Sequence, residues 1–447
     1  MGATGGRLHP RNERDTTTTA RTTHMNPIQR VLFIATCAAL TTSCSESKAI
    51  DVARTTVASG PPSPAIAAWR GELLDLAFEA ASAFPLNPHV KNRSRAQADA
   101  VTAALAVDQP DRAVRFAEGI ANWRRGEAYA DIAFHQADHG RLGRVQEFLD
   151  LAQRIADEGV AADANSPSDS VETSQEWRRD RVRAQIARTY LRLGQDSRAD
   201  TAASGAIDSE TAPIHAERAR GVDAANFDAH MTSLDALVAT GSFDPLRSAL
   251  DAYAELFSTF YGDAERRRIV EEKIPLAWAK LPIQVRLETQ EKLVGKALEH
   301  GDEAKALELV DAASVMLDST NWNAEANVPL RARLAGLRAR AGDVVLAREE
   351  ADAALAAYDR EREQIVNIYR AGVLRPLAQA YHEIGDSEKA RAVYSKALDE
   401  GVLNPNARPR ADDLVATICS MVTTNVEPDA AMRTRIGEIR SKLGAPW

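Results

Sequence analysis

Aromatic residues are scarce in this chain of 447 residues: Phe, Trp and Tyr make up 5% of it, although hydrophobic residues make up 45%. The apolar content is mainly alanine and leucine, which favour closely packed helices, whereas sheets favour β-branched and aromatic side chains. So few aromatic side chains also argue against a sugar-binding site built on exposed aromatic platforms. The hydrophobic content is ample for a core, which argues against wholesale disorder. The composition therefore predicts an all-α protein.

Excess positive charge and abundant cysteine are also missing. The formal net charge is −9, with both signs mixed along the chain. Nucleic-acid binding would require a basic stripe, so we expect no nucleic-acid partner. Cysteine occurs three times, at Cys37, Cys44 and Cys419, which implies no disulfide framework. Cys419 lies in the apolar sequence LVATICSMV, where a buried free cysteine usually acts as a small hydrophobic residue.

Motifs for catalysis are absent as well. The chain contains no GxxxxGK phosphate loop, GxGxxG turn or GxSxG nucleophile elbow. Acidic pairs such as Glu271-Glu272 lie among lysines and arginines, where a solvated helix face is the commoner explanation. His135 and His139 are four residues apart and share a helix face, but a metal site would need at least one more ligand. We predict no catalytic residues, no cofactor and no metal.

The N-terminal residues have the pattern of a leader. Residues 1–24 are polar, and after Met25 a single positive charge at Arg30 precedes an apolar stretch from Val31 to Leu40. A membrane-spanning helix needs about 20 apolar residues, so this shorter stretch is typical of a secretory signal. We expect residues 1–43 to be leader and signal peptide, with Met25 as the true start. The alternative is a longer but genuine leader.

The residues before Cys44 are Leu40-Thr41-Thr42-Ser43, which resemble the bacterial lipoprotein box. In that box a small residue precedes a cysteine that becomes diacylated; Ser43 and Thr42 match, whereas Thr41 stands where the family usually has leucine. The resemblance implies lipidation of Cys44 on the periplasmic face of the bacterial cell envelope. Because Ser45 rather than an aspartate follows, it favours the outer membrane. The alternative is ordinary signal cleavage nearby, which leaves an unmodified thiol.

A tether and a helical body follow. Residues 44–64 are small and polar with a Pro-Pro pair, so they are predicted to be a flexible tether. Residues 65–447 have helical periodicity, interrupted at 160–173 and 318–328, where loops are expected. The final polar-faced segment is predicted to be a capping helix.

A frame of small residues recurs around turn glycines within this body. The glycines are Gly140, Gly194, Gly241, Gly301, Gly342 and Gly385. Small or aliphatic residues stand seven positions before and five positions after each glycine, and alanine stands twelve after it in every unit except that of Gly241, which has Tyr253. Asp302, Asp343 and Asp386 directly follow three of the glycines and can cap the next helix. This pattern predicts stacked helical hairpins whose glycines adopt the left-handed conformation.

The clearest unit, residues 372–405, resembles a tetratricopeptide repeat (TPR). The matching residues are Leu374, Leu377, Ala378, Tyr381, Gly385, Ala390, Tyr394 and Ala397. Val402 stands at the usual proline position, and Pro405 comes three residues late. The resemblance covers roughly residues 125–405. It implies an all-α, right-handed solenoid of stacked antiparallel hairpins that binds proteins or peptides.

In TPR units the first helix of each hairpin lines the binding groove. By matching register, the resemblance assigns to the groove Arg181, Arg188, Arg192, Arg375, Gln379 and His382. Arginine can hold a carboxylate with two parallel hydrogen bonds, so we expect an acidic segment or a C-terminal carboxylate as ligand. The alternative is a solvated face balanced by Glu172, Glu176 and Asp180.

These patterns together predict a non-catalytic protein–protein interaction scaffold or assembly factor of the bacterial cell envelope, attached to the membrane by a lipid anchor. One alternative is a helical lipoprotein that binds a nutrient or peptide in an enclosed, aromatic-rich pocket. Another is an enzyme built on a ring of helices, in which carboxylates would converge in a closed cavity.

Overall fold

The structure, a computed structural model, describes residues 64–164 and 173–447, with side chains between 159 and 175 left aside. These residues form nineteen α-helices and no strand, which confirms the predicted all-α class. The helices are α1 (Ala68–Ser82), α2 (Leu86–Ala106), α3 (Pro110–Glu118), α4 (Arg124–Asp138), α5 (Val145–Ala164), α6 (Thr173–Arg192), α7 (Asp196–Ala203), α8 (Ala212–Arg220), α9 (Phe227–Thr240), α10 (Phe243–Thr259), α11 (Ala264–Trp278), α12 (Ile283–Glu299), α13 (Glu303–Asp318), α14 (Ala324–Arg340), α15 (Val344–Glu361), α16 (Asn367–Glu383), α17 (Ser387–Val402), α18 (Ala407–Thr424) and α19 (Ala430–Ser441). The predicted signal peptide and the lipidation site at Cys44 lie outside the described residues, as does the predicted tether apart from Pro64.

The six turn glycines adopt the predicted left-handed conformation, with φ between 67° and 96°. In three of the units an aspartate caps the helix that follows the glycine. The side chains of Asp302, Asp343 and Asp386 accept hydrogen bonds from the backbone N–H three residues later. Each cap satisfies a donor that the helix itself leaves unpaired. These turns therefore contain both a stop and a start signal for a helix, as the sequence indicates.

The recurring small residues lie in the core. All residues seven before and five after the glycines are buried, including Ala133, Ala187 and Ala390. Small side chains at these positions let helix axes approach to about 8–10 Å. The unit of Gly194 departs from the pattern, because α7 ends at Ala203 and leaves Ala206 beyond the helix and only partly buried.

The interruptions are narrower than the sequence suggests. The predicted loop at 160–173 begins inside α5, which continues to Ala164, and residues 165–172 lie outside the described residues. The predicted loop at 318–328 shrinks to residues 319–323. There the Trp322 indole donates to the Leu317 carbonyl at 3.0 Å, and Asn323 caps α14. The second loop is therefore shorter than predicted, and these local hydrogen bonds hold its residues between the two helices.

The helices form two layers. The even-numbered helices from α2 to α18 contact one another in chain order, and each odd-numbered helix packs against a neighbouring even-numbered one. We call the even-numbered helices the inner layer. The Gly241 unit differs from the others, because α10, which follows its glycine, joins the inner layer while α9 packs on it. Tyr253 on α10, which stands at the position of the recurring alanine, is fully buried.

The inner layer closes on itself. Helix α18 contacts both α1 and α2, so the series of neighbours returns to its start. Arg95 on α2 forms an ion pair with Asp412 on α18 at 3.1 Å. The rings of Phe84 and Trp447 are 5.2 Å apart, and a single hydrophobic core includes residues of α1–α6 and of α14–α19. The described residues from 64 to 447 accordingly form one compact unit.

Helix α19, the predicted terminal helix, packs against α17 and α18. Arg440 on α19 and Glu79 on α1 also form an ion pair across the closure. Cys419 on α18 is free and buried, in agreement with its apolar sequence context. Burial raises the pKa of its thiol to about 12. The cysteine is therefore part of the core between the two ends of the helical array.

Candidate functional site

Three of the six predicted groove residues lie on α6, and acidic side chains from other helices pair with them. Arg181 lies 2.8 Å from Glu127 on α4. Glu217 on α8 lies 3.4 Å from Arg188 and 2.6 Å from Arg192. Because Glu217 is only 5% exposed, its carboxylate offsets two guanidinium charges in a place with little water. An acidic ligand would have to compete with these carboxylates.

The sequence offered two interpretations of the arginines on α6, a groove for an acidic ligand and a solvated face balanced by nearby acidic residues. The ion pairs in the structure match neither of them. Asp180, expected to balance several arginines, pairs with its neighbour Arg179 at 3.1 Å. The other partners come from α4 and α8, over distances in sequence that local charge patterns do not reveal. The Arg188 guanidinium also lies over the ring of Phe134, 3.7 Å from its centre. A cation held between a carboxylate and an aromatic face has a fixed position.

The other three predicted residues lie on α16. Arg375 lies 3.3 Å from Asp413, and the Gln379 amide donates to the Ser420 hydroxyl at 3.1 Å. His382 is half-buried. In the order of inner-layer contacts, α18, α2 and α4 lie between α16 and α6. The structure thus divides the six residues between two separate parts of the inner layer.

A polar cavity of about 510 Å³ lies among α2, α4, α6, α8 and α10. Its charged lining consists of five acidic residues, Glu127, Asp131, Glu210, Asp244 and Asp251, and two arginines, Arg181 and Arg247. None of its lining residues is aromatic. Of the predicted groove residues, Arg181 belongs to this cavity. The lining therefore has an excess of carboxylates rather than the excess of arginines that the sequence led us to expect.

Ion pairs, within the cavity and to residues outside it, neutralise part of this charge. Arg181 pairs with Glu127, Asp251 pairs with Lys292 on α12, and Arg247 lies 3.6 Å from Glu288. The remaining acidic side chains are Asp131, Glu210 and Asp244, and none of the three has an ion pair within the described part of the chain. We call these three the unpaired carboxylates.

Two of the unpaired carboxylates have raised pKa values. Loss of water, followed by repulsion from Glu127, raises the pKa of Asp131 to about 7, although Arg188 and a hydrogen bond with Gln185 oppose the shift. Burial also raises the pKa of Glu210; Arg181 opposes this shift, whereas Glu127 and Asp244 increase it. Burial is the main cause of both shifts, and neighbouring negative charge adds to them.

Ser248 contributes a buried hydroxyl to the cavity. The residue is 2% exposed and lines the cavity from α10. No hydrogen bond of its hydroxyl is seen within residues 64–164 and 173–447, and the oxygen is not among the fully buried side-chain atoms that lack a partner. The oxygen is therefore accessible from the cavity, where a ligand can form a hydrogen bond with it.

Helical spacing explains how the cavity forms, and it is the signal that the sequence interpretation missed. Glu127 and Asp131 are four residues apart on α4, and Asp244, Ser248 and Asp251 are four and three apart on α10. Residues with these separations share one face of a helix. Helix α10 belongs to the Gly241 unit, which lacks the recurring alanine, so the sequence pattern did not indicate that its polar face points inward.

A second cavity in the inner layer has balanced charge. It has a volume of about 390 Å³ and lies among α12, α14, α16 and α18. Glu291 and Glu383 line it together with Arg333 and Arg340, and Gln379 from the predicted groove set contributes an amide. Glu291 lies 3.3 Å from Arg333, and burial raises the pKa of Glu291. Because its acids and arginines are equal in number, this cavity has no preference for one sign of charge.

A third group joins two histidines to an aspartate. His135 Nε2 lies 2.8 Å from Asp108 Oδ1, and possible ligand atoms of Asp108, His135 and His139 are within 4.8 Å of one another. Asp108 thus provides the third possible metal ligand, which the sequence analysis did not find. Arg141 binds the same oxygen of Asp108, however, and already places a positive charge there. We interpret the group as a link between the turn before α3 and the end of α4, and the absence of a metal stays a prediction.

Comparison of the chain with models of known protein families gives no match, and comparison with curated proteins gives none either. Among the described helices, none is both long and apolar enough to cross a membrane. The choice of function therefore depends on the geometry of the inner layer.

Proposed function

We propose that this protein is a non-catalytic scaffold that holds a protein or peptide partner against its inner layer. In this proposal the helix pairs are TPR-like hairpins, stacked as a right-handed solenoid whose two ends meet. The observation that carries the proposal is the 510 Å³ cavity, because it is polar and retains three unpaired carboxylates. Carboxylates that lack an ion pair inside the protein are available to a partner from outside.

The lining of the cavity favours a macromolecular partner over an aromatic or sugar ligand. It offers charged and hydroxyl groups from four inner helices and from the turn before α8, and no aromatic ring on which a sugar or a flat cofactor could stack. Small-molecule pockets are usually lined by apolar and aromatic side chains with a few polar groups. The opposite composition here suits a polar segment of another protein.

The attachment to the membrane belongs to the same proposal. We propose that Cys44 is lipidated and that the scaffold stands on the periplasmic side of the envelope, at the outer membrane. The tether from 44 to 64 could extend roughly 70 Å. Such reach would let the scaffold meet partners at some distance from the lipid surface, as an assembly factor for envelope complexes requires.

Membrane fractionation and cross-linking in intact cells test this function. Wild-type protein and Cys44→Ala are compared for membrane association, and proteins cross-linked to each are identified by mass spectrometry. We expect wild type in the membrane with a defined envelope partner, and the variant released. Release of both forms would disprove the lipid anchor, whereas a membrane-bound wild type without a cross-linked partner would disprove the scaffold.

One observation favours a second candidate, an enzyme built on a closed ring of helices. Glu127, Asp131 and Glu210 converge in one cavity, and the pKa of Asp131 is about 7, as a general acid at neutral pH requires. Incubation with defined oligosaccharides, followed by mass spectrometry of the products, tests it. Cleavage that Asp131→Asn abolishes would establish the enzyme; intact substrates would remove this candidate.

A further inference from the structure

The charge pattern of the larger cavity identifies the chemistry of its occupant, and this inference rests on the proposed scaffold function. We infer that the cavity binds a cationic segment of the partner, whose lysine or arginine side chains contact Asp131, Glu210 and Asp244 and which accepts or donates a hydrogen bond at Ser248. The inference reverses the sign of the ligand expected from the sequence. It concerns what enters the cavity, not whether the protein is tethered.

The first argument is the charge that remains after internal pairing. Glu127 and Asp251 are offset by Arg181 and Lys292, and Arg247 is offset by Glu288. The three unpaired carboxylates lie on α4, on the turn before α8 and on α10. Lysine and arginine side chains are the protein groups that compensate carboxylates in such a space.

The second argument is independent of charge. Ser248 is 2% exposed, lines the same cavity, and its hydroxyl has no hydrogen-bond partner among the described residues. Its oxygen is accessible from the cavity, so a polar ligand can supply a hydrogen bond that an apolar ligand cannot.

The spread of the carboxylates distinguishes an extended cation from a metal ion. A calcium ion gathers six to eight oxygen ligands at about 2.3–2.6 Å. In the described residues, the group of possible metal ligands that lie within 4.8 Å of one another is Asp108, His135 and His139, and no cavity carboxylate belongs to such a group. Separate positive charges along a chain fit the separated carboxylates better than one ion.

Binding of such a segment is linked to protons. The charged groups around Asp131 and Glu210 are Glu127 on α4, Arg181, Asp180 and Arg188 on α6, and Asp244 on α10. A cation stabilises the ionised carboxylates, so it lowers their pKa values and displaces protons. With a pKa of about 7, Asp131 is half protonated at neutral pH, and full ionisation would release about half a proton per ligand at pH 7. Affinity should therefore rise with pH between 6 and 8.

Calorimetric titration with an octalysine peptide tests the inference. The cavity variant combines Asp131→Asn, Glu210→Gln and Asp244→Asn. The matched control combines Glu158→Gln, Glu349→Gln and Glu388→Gln, which neutralises three exposed, unpaired carboxylates on α5, α15 and α17. We expect wild type and control to bind equally well, the cavity variant to bind at least about tenfold more weakly, and proton release in wild type and control only.

Three results with the peptide or with calcium would overturn the inference. The first is equal weakening of peptide binding by both triple variants, which would mean diffuse attraction to an acidic protein. The second is tight binding of the peptide by the cavity variant. The third is binding of calcium in place of the peptide. The positive charges could come from a protein segment or from a free polyamine, and titration with spermine distinguishes the two. Spermine binding that is equal to or tighter than binding of the octalysine peptide would identify a free polyamine as the ligand. Partner capture in cells that does not depend on these carboxylates would overturn the inference and leave the scaffold standing.

Discussion

Arg70, near the start of α1, donates two hydrogen bonds to the backbone carbonyl of Val422 near the end of α18, from Nε at 3.1 Å and from Nη2 at 2.8 Å. The two residues are 352 positions apart. Val422 lies in the last turn of its helix, and its carbonyl also accepts a hydrogen bond from the backbone N–H of the cap residue Asn425 at 3.3 Å. The Arg70 side chain adds two charged donors to this carbonyl and connects the first helix to the end of the array.

Replacement of Arg70 by alanine should weaken this closure. Hydrogen bonds from a charged donor contribute about 1.5–3 kcal/mol, so we expect Arg70→Ala to lower the free energy of unfolding by that amount. Urea denaturation monitored by circular dichroism measures the change. Arg360→Ala is the control, because Arg360 is 67% exposed and pairs with the adjacent Glu361; it should change stability by less than about 0.5 kcal/mol. Equal effects of the two substitutions would contradict the closure.

Cys419 provides a chemical probe of the same contact. It lies on α18 with its sulfur 3.9 Å from the Asp99 carbonyl of α2, and burial raises its pKa to about 12. Thiol reagents attack the thiolate, which is both buried and rare at pH 8. In a chain with Cys37→Ala and Cys44→Ala, we expect Cys419 to react at least about tenfold more slowly than in urea.

Weakening of the contact between α1 and α18 should make Cys419 more reactive. Added to this chain, Arg70→Ala should speed the labelling of Cys419, while Arg360→Ala should leave its rate unchanged. Fast labelling of the folded parent protein, as measured by mass spectrometry over time, would show that α18 is not held against α2.

Local features of the fold could be predicted from the sequence because they depend on neighbours along the chain. The turn at Gly385 and the cap at Asp386 follow from backbone conformation and a single hydrogen bond. The closure could not be predicted in the same way. The contact between Arg70 and Val422 joins residues far apart in sequence, and helical periodicity reports only which face of each helix is apolar.

Two glycines that differ only in backbone conformation should respond to alanine with opposite signs. Gly385 has a φ of +85°, and no atom would touch an added methyl group. Gly385→Ala should therefore lower the free energy of unfolding by about 1–2 kcal/mol, through backbone strain alone. Gly295 lies inside α12, where an added methyl also meets no atom, so Gly295→Ala should stabilise by about 0.5–1 kcal/mol. Urea midpoints measure both; destabilisation by both would disprove the assigned conformations.

Asp131 should make stability depend on pH. Its pKa is raised to about 7 in the folded protein from the ordinary aspartate value of 3.8, so the folded state binds the proton more tightly. The associated stability is fully present below about pH 4 and is lost as pH rises through 7. Asp131→Asn should therefore match wild type at pH 4 and be more stable at pH 8, by on the order of 1 kcal/mol, since the carboxyl keeps some contact with water. A difference that shrinks between pH 4 and pH 8 would contradict the raised pKa.

The candidate site was less predictable than the fold. Arg181, Arg188 and Arg192 were visible as a cluster on one helix, but their partners Glu127 and Glu217 lie on other helices. Charge balance inside a closed layer depends on which helices become neighbours, and a single sequence does not contain that information. The excess of carboxylates therefore became apparent only with the three-dimensional arrangement.

Cross-linking in intact cells with the two triple variants tests the central claim most directly, namely that the inner layer holds a partner through the unpaired carboxylates. Wild type, the cavity variant and the matched control, all retaining Cys44, are cross-linked and their partners are quantified by mass spectrometry. We predict that wild type and the control capture the same partner at equal yield and that the cavity variant loses it. Equal capture by all three forms would contradict the claim and place the partner elsewhere on the protein.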